Sequence, residues 1–81
     1  MKPVESDRLD AEERRELSSS DFGIPEERAF PMPDAAHVRA AEAYFYASDD
    51  QKPELARNIL EKATEYGVRV ESPVVLSWAG K

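Results

Sequence analysis

The apolar positions of the chain follow different spacings in successive stretches. Over about 35–47, "AAHVRAAEAYFYA", Val38, Ala41 and Phe45 recur at helical intervals with Ala40 and Tyr44 beside them, which gives a helix one apolar face. Over about 52–66, "KPELARNILEKATEY", Leu55, Ile59, Ala63 and Tyr66 make a longer stripe that Ala56 and Leu60 widen. From 68 to 78, "VRVESPVVLSW", the pattern becomes β-branched, Val68 and Val70 alternating with Arg69 and Glu71 before Pro73 interrupts. These features predict two helices followed by an extended, β-like tail.

Punctuation sharpens the boundaries. Asp34, after Pro33, is a good N-cap for the first helix. Pro53 suits the first turn of the second, with Ser48, Asp49 or Asp50 as its cap. Gly67 stands where a left-handed C′ residue ends a helix, and Val68 is placed for the hydrophobic contact of a Schellman motif. A break of about five residues between the helices favours an antiparallel hairpin.

Upstream, residues 22–33, "FGIPEERAFPMP", exclude a regular helix or a central strand. Pro25, Pro31 and Pro33 remove donors and hold Ile24, Phe30 and Met32 extended. Phe22, Ile24, Phe30 and Met32 are nevertheless too apolar for a free linker, so the segment reads as an ordered strap packed on the helices. Residues 1–20 are polar and acidic. Asp10 and Glu13 have capping-box spacing, and "AEERREL" is rich in helix formers, so this part reads as a short surface helix or an arm. The expected architecture is mainly α: a hairpin over about 35–47 and 52–66, clasped by a Pro-rich segment (the hairpin domain spanning 21–67), with an acidic arm at 1–20 and a valine-rich tail at 68–81.

Composition narrows the function. The chain has 81 residues and no cysteine, so a core of marginal size has no disulfide to support it. Usual zinc sites draw on cysteine and several histidines, and here His37 is the only histidine. A net charge of −6 disfavours phosphate backbones and anionic membranes. Arg57, Lys62 and Arg69 form at most a local basic patch. No apolar run reaches the length of a membrane span, and the charged start is unlike a signal peptide, so an intracellular site of synthesis is expected.

Asp21-Phe22-Gly23 matches the magnesium-binding tripeptide of protein kinases, but the glycine-rich loop, strand lysine and catalytic loop that give it meaning are missing. The simpler reading makes Asp21 a turn cap, Phe22 a core anchor and Gly23 a supplier of unusual φ. Asp34 and His37 share one helix face, a spacing that suits a metal or a proton relay, yet two ligands make no site. His37 is expected to bond back to the loop or to Glu26 or Glu27. Glu26, Glu27 and Arg28 would meet Arg39 and Glu42 if the strap folds over the first helix, in pairs of less than about 1 kcal/mol. No catalytic, metal or cofactor site is expected. Tyr44, Phe45 and Tyr46 cover most of a helix circumference, so Tyr46 should point outward. With Trp78 it is the best indication of a binding surface.

The combination Ser20, Phe22, Gly23, Pro25, then Arg28, Phe30, Pro31, then Asp34, His37, Val38, Arg39, Ala41, and finally Gly67 resembles a small uncharacterised domain of bacteriophage and prophage proteins (S-x-F-G/A-x-P, R-x-[YF]-P, D-x-x-H-[VA]-R-x-A, a second helix ending at glycine). The resemblance covers about 20–67. It implies a virion or assembly accessory protein, or a small host-directed protein, in the host cytoplasm or the virion, and brings no activity with it. Its positions are packing and capping types, which suits a structural clasp built from Phe22, Pro25, Arg28, Phe30, Pro31, Asp34, His37 and Arg39.

The function expected is a non-enzymatic protein–protein interaction module. Its tail would add a strand to a partner or to a second copy through Val70, Val74, Val75, Leu76 and Trp78, with Tyr46 nearby. The alternative is an acidic inhibitor that occludes a basic surface of a nucleic-acid-binding protein. An enzyme ranks third.

Overall fold

A computed structural model describes residues 11–80. The start of the arm, with the expected cap at Asp10, lies outside the described residues. The fold is mainly helical with one small antiparallel sheet: α1 (Ala11–Glu16), β1 (Phe22–Ile24), β2 (Ala29–Pro31), α2 (Ala35–Ala43), α3 (Lys52–Tyr66) and α4 (Pro73–Ala79). Among the described residues no helix is long and apolar enough to cross a membrane.

The strap is not simply extended. It is a hairpin pairing Phe22 with Pro31 and Ile24 with Ala29, closed by a 3-10 turn, Pro25–Glu27. Proline is tolerated here for a geometric reason. The Met32 N–H donates to Asp21 O at 2.7 Å, so Phe22 and Pro31 are a non-hydrogen-bonded pair and the Pro31 nitrogen faces away from β1. No ladder bond is lost, and the outer edge of β2 lacks a donor at that position. Phe30 adopts a left-handed φ of 61° that costs a bulky side chain about 1–2 kcal/mol. Gly23, opposite it, leaves the room. A Cβ there would lie 3.0 Å from Phe30 Cβ and run into Leu55 Cδ1. Gly23 thus serves close packing and not, as expected, a positive φ; among the described glycines only Gly67 has one.

The core joins all parts. Ile24, Met32, Val38, Ala41, Leu55, Ala56, Ile59, Ala63 and Val75 are buried together, and Phe22 is fully buried as well. β1 packs on α3, and β2 and α3 both pack on α2. The expectation that Phe22, Ile24, Phe30 and Met32 anchor the strap therefore holds, Phe30 packing at the margin.

The second helix has the expected bounds, Lys52–Tyr66, with Gly67 at φ 69° and Val68 N bonded to Ala63 O at 2.8 Å, the six-to-one bond of a Schellman motif. Its start differs from expectation: the N-cap is Gln51, and Ser48 contributes its carbonyl to Gln51 N and Lys52 N instead of a side-chain cap.

The first helix stops at Ala43, four residues short of the expected 47. Tyr46 N bonds Tyr44 O at 2.9 Å, and the chain leaves the helix so that Phe45 and Ala47 turn to the core while Tyr44 and Tyr46 turn out.

The tail is not β-like. Ser72 caps α4 by accepting from Val75 N at 3.3 Å, and Pro73 occupies its first turn. The connection 67–72 carries the chain to the end of α2, where Glu42 Oε2 accepts from the backbone N–H groups of Glu71 and Ser72 at 2.8 and 2.7 Å. α4 then seats Val75 in the core.

Candidate functional site

Polar side chains gather at three places. The first joins the strap to the end of α3. Asp21 Oδ2 accepts from Ser18 N and Ser18 Oγ, both at 3.1 Å, which caps the turn as expected. Its Oδ1 accepts from Lys62 Nζ at 2.8 Å, and Lys62 also reaches Glu65 Oε1 at 3.2 Å. The bond from Lys62 outweighs burial and holds the Asp21 carboxyl below its ordinary value. The same bond, opposed by burial, raises Lys62. Burial, then the charge of Glu65, raises Tyr66. Lys62 is thus a buried, charged tie and no part of a basic patch. Sequence reasoning missed it, although its position three residues after Ile59 puts it on the apolar stripe.

Asp34 and His37 stand at the head of α2. Asp34 Oδ1 accepts from His37 N at 2.9 Å and meets His37 Nδ1 at 2.7 Å. Burial pushes the Asp34 carboxyl up, but the bonds from the His37 ring and backbone prevail and hold it low. His37 bonds its own cap, not Glu26 or Glu27. Its Nε2 is buried without a hydrogen-bond partner, so the ring is closed to substrate. Among the described residues no group of His, Cys, Asp or Glu could hold a metal.

The rest of the clasp divides. The Arg28 guanidinium lies 4.4 Å over the Phe22 ring, and its Nη2 donates to Leu17 O at 3.1 Å. Pro25 and Pro31 are half-buried in the hairpin. Arg39 is exposed and does not bond the loop. The expected meeting of Glu26, Glu27 and Arg28 with Arg39 and Glu42 is not formed; Glu27 accepts instead from Gln51 Nε2 at 2.7 Å.

The third gathering lies around the end of α2 and the start of α3. Tyr44 and Tyr46 are 66% and 79% exposed. Lys52 bonds Asp49 at 3.1 Å and lies 5.3 Å over the half-buried Trp78 ring. Of the residues expected to meet a partner, Tyr46, Val74 and Leu76 are exposed, Val70 and Trp78 pack against the core, and Val75 is wholly buried. Val75 is therefore a core residue, which corrects its place on the binding face. Tyr44 joins the exposed set. Helical spacing puts it beside the apolar stripe, but α2 ends before it.

Compared with known proteins, the chain matches no family model, and no curated protein or solved structure is significantly similar to it.

Proposed function

We propose that the chain is a non-enzymatic protein–protein interaction module, built on an antiparallel pairing of α2 and α3 that the strap clasps. The observation that carries this reading is the exposure of two neighbouring tyrosines, Tyr44 and Tyr46, besides that of Val74 and Leu76 on α4, since tyrosine is enriched at protein interfaces. Burial of His37 supports it by removing the most plausible base from reach. With residues 73–79 helical and Pro31 at the outer edge of β2, recognition works through side chains and not through strand addition. The phage resemblance makes a virion or assembly component the first partner to try. The test is light scattering over a wide range of concentration, paired with a photo-crosslinker at Val74 or Leu76. A self-associated species or one specific adduct is expected. A monomer that crosslinks to nothing overturns the reading.

A further inference from the structure

We draw no further inference here: the strongest candidate, the exposed patch of Tyr44 and Tyr46 at the end of α2, carries nothing beyond the interaction-module reading, because nothing in the structure shows what covers it.

Discussion

Lys62 Nζ donates to Asp21 Oδ1 at 2.8 Å across 41 positions of chain, from a side chain only 7% exposed. The pair ties the strap to α3 and leaves a signature in pH. Asp21 is depressed in the fold, so its contribution is present above the ordinary carboxylate value of about 3.9 and is lost as pH falls through the lower folded value. Lys62 is raised, so its contribution is present below about 10.4 and is lost as pH rises through the higher folded value. Stability from this pair is therefore complete between those limits. Asp21→Ala, which strips a buried ammonium of its main partner, should cost about 2–4 kcal/mol at neutral pH. Lys62→Met, which fills the site and leaves Asp21 its Ser18 bonds, should cost less. Urea unfolding as a function of pH measures both, and equal costs for the two variants would contradict this account.

Gly23→Ala places a methyl group against Leu55 and Phe30. We expect a loss of about 1–3 kcal/mol. Trimming Leu55 to Val should recover part of it, so the two changes together cost less than their sum. Additive losses would show that the methyl is accommodated without Leu55.

Asp34→Ala removes the α2 cap and should cost about 1–2 kcal/mol. His37→Ala removes the ring bond and opens a cavity, for about 1–3 kcal/mol. The bond between them is lost in either single variant, so a thermal-unfolding cycle should give a double variant less damaged than the sum. A ligand or metal affinity that vanished in His37→Ala with stability unchanged would overturn the structural role.

Gly67→Ala forces a Cβ into φ 69° with no steric clash, since nothing lies within 4 Å of it. The cost is then conformational alone, about 1–2 kcal/mol, and Gly67→Asn should cost less. Denaturant midpoints with unchanged slopes check this.

Legibility varied with how much of each element is decided locally. Lys52–Tyr66 carries a long periodic stripe, an early proline and a terminal glycine, and its bounds were plain from sequence. The Asp34 cap was equally local. The end of α2 was not, because Tyr44 and Phe45 continue the helical spacing, and the break appears only in the backbone of Tyr44, at φ −113° and ψ 61°. Pro73–Ala79 has strand-like residues, yet Ser72-Pro73 is an N-cap followed by a first-turn proline, and packing of Val75 overrides propensity. The hairpin was hidden by a blanket reading of proline that ignored which way the Pro31 nitrogen faces. Of the candidate surface, Tyr46 was foreseen. The exposure of Tyr44 depends on where α2 ends.

The strap has a consequence for synthesis. Gly23 O waits for Asn58 Nδ2, 35 residues further on, and Asp21 waits longer still for Lys62. As the chain grows from its N-terminus, Phe22, Ile24 and Met32 emerge before the helix that will cover them. The strap is made before the helix that satisfies it, so the nascent chain exposes its apolar side chains until α3 is complete.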